Sequence, residues 1–158
     1  ENLLSQVKKK ENKYKKQIQG FIKEEKRINE ILNTDDTSVN QDTLNTYYAY
    51  LKKELKPPCI LTGSEDFDWE EPYVLGVKGW SQKEYKELKK TKPSYTDEFK
   101  FIRLNKEFND WKGVIAKVKR VSDNKIFNIP LWDLEVVDRN NPNFLLVSDY
   151  SSWMTNNR

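Results

Sequence analysis

The sequence predicts an α+β protein: a long N-terminal amphipathic helix, then a compact domain whose small, curved antiparallel β-sheet is covered by one or two helices. Three observations carry this expectation. Apolar residues recur every three or four positions over the first 32 residues. The stretch from Trp111 to Val137 holds two alternating β runs around a polar turn. Aromatic residues make up 13% of the chain, whereas disordered chains are poor in rings.

The central hairpin is the clearest element. Val114, Ala116 and Val118 share one face of a strand while Lys117 and Lys119 point the other way. Phe127, Ile129 and Leu131 fall together on the next strand, and Ser122-Asp123-Asn124 supplies turn residues. Pro130 lacks the N–H a ladder needs, so this strand ends there or lies at an edge. Trp132–Glu135 reads as a tight turn leading into a last strand at Val136-Val137.

From the N-terminus, Leu4, Val7, Tyr14, Ile18, Phe21, Ile28 and Leu32 step by four and three, with Glu11 and Glu25 filling the gaps. Such a stripe needs a partner surface. It predicts a coiled coil over residues 1–33 that forms a homo-oligomer or docks the protein on a larger protein partner; a helix folded back on its own domain is the plainer alternative. A linker follows at 34–42, and residues 43–158 form the domain. Asp42 is placed to N-cap a helix Thr43–Leu55, which Pro57-Pro58 stops. Cys59–Thr62 reads as a strand, Ser64–Glu71 as a loop and Pro72–Gly76 as a return to strand. Ser81 with Glu84 reads as a capping box for a helix Gln82–Lys90. Phe99–Leu104 is a further strand, Asn140–Asn143 a turn and Phe144–Val147 a last short strand. The rings of Asp149–Trp153 tuck back on the sheet.

Composition excludes several chemistries. There is no histidine, so triads, histidine-bearing zinc sites and histidine bases are excluded within this chain. The single cysteine, Cys59, permits no internal disulfide or CxxC pair and stands in an apolar run, where an inert thiol belongs. No phosphate loop or nucleophile elbow occurs. The expectation is a non-enzymatic, cytoplasmic protein without a membrane span. The chain begins at Glu1 without a methionine, which fits a fragment of something longer.

Two stretches carry charge in a pattern. In the loop Ser64–Glu71, five carboxylates fall within the seven residues Glu65–Glu71. Crowded carboxylates raise one another's pKa unless a cation offsets them, and Ca²⁺ with its flexible oxygen shell suits irregular loops. Glu65, Asp66, Asp68 and Glu70 are therefore candidate metal ligands, joined by Asp133 and Glu135. The EF-hand pattern fails, since Glu71 and Val77 stand at its sixth and twelfth places. The second stretch is basic: Lys117 and Lys119 project from the hairpin with Lys112, Arg120 and Lys125 near its ends. Interleaved Asp123, Asp133, Glu135 and Asp138 count against a nucleic-acid partner there.

A helix bearing Tyr47-Tyr48-Ala49-Tyr50-Leu51, then prolines and a sheet closing on Pro130-Leu131-Trp132-Asp133-Leu134-Glu135, resembles the CcbP family of calcium-binding proteins. The resemblance covers Thr43–Leu55 and Lys112–Val137. It implies an SH3-like β-barrel and calcium binding through surface carboxylates. The functional expectation is a calcium-binding or calcium-responsive module, with assembly through the N-terminal helix as the alternative and nucleic-acid binding by the basic hairpin face as the third.

Overall fold

Five stretches with alternating inward and outward side chains pair into one antiparallel sheet. In the computed structural model, which describes residues 2–158, they are β1 (Ile60–Gly63), β2 (Glu98–Leu104), β3 (Ile115–Arg120), β4 (Ile126–Pro130) and β5 (Leu134–Val136). Their order is β4-β3-β2-β1-β5. The hairpin has the expected register, with Ala116 opposite Ile129 and Val118 opposite Phe127.

The sheet is curved yet open. A three-residue 3₁₀ turn, Leu131–Asp133, carries the chain from one edge strand to the other. Four extended steps reach at most about 14 Å, whereas four flat interstrand gaps would span about 19 Å. The sheet must therefore curl. It does not close: β4 pairs only with β3 and β5 only with β1, so the expected SH3-like barrel is not formed. The physical reason lies in the edges. β5 is three residues long, and β4 ends at Pro130, which has no N–H to donate.

The chain divides into two units after Thr37. In the first, α1 (Leu3–Leu32) is N-capped by Asn2, whose side chain accepts from the Ser5 amide, and ends at Asn33 in the left-handed region. Leu4, Val7, Tyr14, Ile18 and Phe21 on its stripe are exposed, and Ile28 and Leu32 are buried. Among the described residues no helix is long and apolar enough to cross a membrane.

In the second unit, α2 (Gln41–Glu54) starts two residues before the expected point. Asn40, and not Asp42, is the cap: it accepts from the Thr43 amide, while the Thr43 hydroxyl accepts from the Asn40 amide. Two expected strands are helices. Glu71–Val74 forms the short α3, because Pro72 fits a first helical turn, where its missing N–H has no partner to lose. Phe144–Val147 belongs to α5 (Asn143–Asn156), since Asn143, Val147, Tyr150 and Met154 fall on one helical face and all are buried. The helix α4 (Gln82–Leu88) starts where expected, N-capped by Ser81, whose hydroxyl accepts from the Lys83 and Glu84 amides, and ends two residues before the expected Lys90.

The core sits where α2 and α5 meet the inner face of the sheet. Leu44, Tyr47 and Leu51 of α2 and Tyr150 and Trp153 of α5 are fully buried with Leu61, Phe99, Val118 and Leu134. The Tyr47 and Trp153 rings stack at 4.9 Å. The Tyr150 hydroxyl accepts from the Val114 amide at 2.8 Å, tying α5 to the start of the hairpin. Gly113 makes that approach possible: its φ is 65°, and a Cβ there would run into the Tyr150 hydroxyl and the Met154 methyl. Cys59 is buried and its thiol is pushed up to about 11 by that burial, so it stays a protonated core residue.

Candidate functional site

Sheet topology gathers the acidic residues. Because β1 and β5 are antiparallel neighbours, the loop leaving β1 and the 3₁₀ turn entering β5 emerge at the same end of the sheet. The Ser64 amide donates to the Asp133 carbonyl at 2.9 Å and fastens the two. The Leu131 amide likewise donates to the Val114 carbonyl at 2.8 Å, which brings Trp111 and Lys112 alongside. A cleft of about 410 Å³ results, lined by Glu65, Asp66, Asp68 and Asp133 together with Trp111 and Trp132.

The acidic loop is a folded platform. Phe67 is buried, and the Trp69 indole N–H donates to the Pro93 carbonyl at 2.7 Å. Glu70 is wholly buried, with its carboxylate turned inward. One oxygen accepts from the Tyr85 hydroxyl at 2.9 Å and the Ser94 hydroxyl at 2.5 Å. The other accepts from the amides of Phe67 and Tyr95 at 3.2 and 2.8 Å. Burial, reinforced by Glu70, pushes the Tyr85 hydroxyl up to about 12, so it remains a donor. The inward residues thus hold the loop while Glu65, Asp66 and Asp68 face the cleft.

Of the six sequence-derived metal candidates, Glu65, Asp66, Asp68 and Asp133 share the cleft. Glu70 is occupied by protein donors, and Glu135 stands exposed on β5, away from the cleft lining. Burial, then the charges of Asp68 and Glu65, push the Asp133 carboxyl up to about 6. Burial leads and the two neighbouring carboxylates add to it, a cost that a bound cation would offset. The donors are all hard oxygens, which suits Ca²⁺. Their spacing suits it less: among the described residues no three Asp, Glu, Cys or His side chains converge tightly enough to hold one ion.

Sequence reasoning missed the aromatic wall. The Arg158 guanidinium lies 4.3 Å from the Trp132 ring centre and 5.6 Å from that of Trp111, and it donates to the Trp111 carbonyl. The signal was present in two tryptophans flanking the hairpin, but their convergence depends on the sheet's curl.

No family model and no curated protein matches this chain. Among solved structures, the crystal structure of Anabaena CcbP superposes with a TM-score of 0.54 at 15% identity, covering 84% of this chain and 89% of that one. A calcium-binding protein in its calcium-binding form gives a TM-score of 0.54 at 14% identity, over 84% and 90% of the two chains. The resemblance read from the Tyr47–Leu51 helix and the Pro130–Glu135 turn is thus met in three dimensions, as a likeness of fold.

Proposed function

We propose that the protein binds Ca²⁺ at the acidic cleft, through Asp133 together with Asp68 and Glu65 and with Asp66 at the rim, and acts by binding instead of turnover. The observation that carries the reading is the gathering of Glu65, Asp66, Asp68 and Asp133 in one cleft, where burial and then the neighbouring charges raise Asp133. The calcium-binding names of the two fold neighbours add support. Because the carboxylates do not converge, water and backbone oxygens would complete the ion's shell, and affinity falls on the order of 10⁻⁴ to 10⁻³ M. Calorimetric titration of the full chain with CaCl₂ tests this. Saturable heat that is lost in an Asp68→Asn, Asp133→Asn variant is the expected result; no heat at millimolar ion removes the reading.

A second reading, assembly through α1, is favoured by one observation. Five apolar side chains on one helical face, from Leu4 to Phe21, stand between 43% and 69% exposed. A second copy of the stripe would cover them as a coiled coil, with Lys and Glu on the flanks. Sedimentation of the wild type above the monomer mass, and of an Ile18→Glu, Phe21→Glu variant at it, is the outcome this reading requires.

A further inference from the structure

The outer face of the sheet concentrates positive charge in a way the sequence hid. Of the five hairpin cations, Lys112 turns to the acidic cleft. Arg120 points inward, 3% exposed, and Lys125 donates to the Lys90 carbonyl. Lys117 and Lys119 remain outside, and β2 adds two more: Lys100 stands directly opposite Lys119, and Arg103 directly opposite Lys117. Like charges facing each other across a ladder destabilise a sheet, and here there are two such pairs side by side.

The second pair exists because of a bulge. The β2–β3 register slips by one residue between Phe101 and Arg103. Without that slip Ile102 would face Lys117; with it, Arg103 takes the place. Bulges re-aim single side chains in this manner and concentrate beside functional sites. Of the acids that weighed against a basic face, Asp123 is held by Arg120 at 2.8 Å, Asp133 lines the acidic cleft, Glu135 lies across the sheet on β5, and Asp138 follows two residues after that strand. Glu98, two residues from Lys100, borders the patch.

An adjoining groove points the same way. Arg103 also lines a cleft of about 300 Å³ beside α2, whose floor is apolar (Leu51, Phe101, Leu104) and whose polar lining is Lys52, Lys56, Lys106 and Tyr48, with no carboxylate among its described lining residues. The Tyr48 ring packs on Phe108 at 4.8 Å. Cations repeating along a strand every two residues, about 7 Å apart, and leading to a groove with an aromatic ring match what an extended phosphodiester chain requires.

We propose that the outer sheet face, from Lys100 and Lys119 through Arg103 and Lys117 into the Lys52–Lys106 groove, is a docking surface for single-stranded nucleic acid. It lies apart from the acidic cleft and does not depend on calcium there. The test is fluorescence anisotropy of the full chain with a labelled oligothymidylate. Four phosphate contacts give a slope of about −2.8 in log affinity against log salt, a loss of about 50-fold between about 50 and 200 mM. Glutamine at Lys100, Arg103, Lys117 and Lys119 together lowers the slope by that amount, leaving only the share of the groove lysines, and leaves a cooperative melt, since the substitutions relieve opposed charges. Lys100→Gln, Lys119→Gln alone lowers it by half as much, which keeps the test decisive if the fourfold variant fails to fold. Asp133→Asn leaves the affinity unchanged, separating this surface from the calcium reading. No anisotropy change at low salt, binding indifferent to these substitutions, or displacement of the oligonucleotide by phosphatidylserine vesicles overturns the proposal.

Discussion

Asp133 shows how much one position decides. Its carboxyl is raised from 3.8 to about 6 by burial and by Asp68 and Glu65. The native state therefore holds a proton between about pH 4 and 6 that the unfolded chain has released, and stability falls as pH rises through that window. Above pH 6 the charged group opposes folding, by about 1 kcal/mol once solvent screening of this half-exposed side chain is allowed for. Asp133→Asn is expected to raise neutral-pH stability by that amount and to change nothing below pH 4, as urea titrations at the two pH values would show. A neutral Asp133 is also a poor ligand, so calcium affinity in the wild type should drop below pH 6. The choice between Asp133 and Glu135 was not legible from sequence, because only the 3₁₀ turn determines which of them meets the loop. The inward turn of Glu70 was equally hidden, since its partners Tyr85, Ser94 and Tyr95 lie 15 to 25 residues away.

At the level of elements, Arg120 is the clamp that joins the hairpin to α4. Its guanidinium donates to the Lys89, Lys90 and Lys92 carbonyls, at 3.0, 3.0 and 2.9 Å, and pairs with Asp97 and Asp123 at 3.0 and 2.8 Å. Those carbonyls lie at and just beyond the end of a short helix, so one planar fork does the work of a C-cap and a tertiary tie. Hydrogen bonding to Arg120 holds the Asp123 carboxyl down at about 2. Arg120→Met removes the charged donor shared by both carboxylates and the three carbonyls, leaving Asp97 to the Ser94 amide, Asp123 to the Lys125 amide and the Lys90 carbonyl to the Lys125 ammonium, and is expected to cost about 3 kcal/mol, read as a lower urea midpoint at unchanged m-value. Strands were legible where a period of two is written locally, as in β2, β3 and β4. The helix α5 was not: Phe144-Leu145-Leu146-Val147 reads as strand by itself, and its helical stripe emerges only when Tyr150, Trp153 and Met154 are counted with it. Pro72 misled in the same way, since the residue that bars a central strand is welcome in a first helical turn.

For the whole molecule, a net charge of +3 conceals separation: carboxylates gather at the β1–β5 end of the sheet and cations on its outer face. Composition reports only the sum, and the sorting is made by strand pairing and by the slip at Ile102. Calcium bound at the acidic end must stabilise the fold by linkage. At tenfold excess over its dissociation constant the gain is about 1.4 kcal/mol, which a melting curve registers as a rise of about 3 °C; equal melting temperatures with and without the ion would contradict the cleft as its site.

The two indoles at that cleft have a consequence of their own. Trp153 is sealed in the core and Trp69 is tied to a carbonyl, but Trp111 is 77% exposed and shares its mouth with Trp132. Any guest that displaces the Arg158 side chain from between them alters the polarity around both rings at once. The protein therefore carries its own optical gauge of occupancy, an emission change that needs no dye.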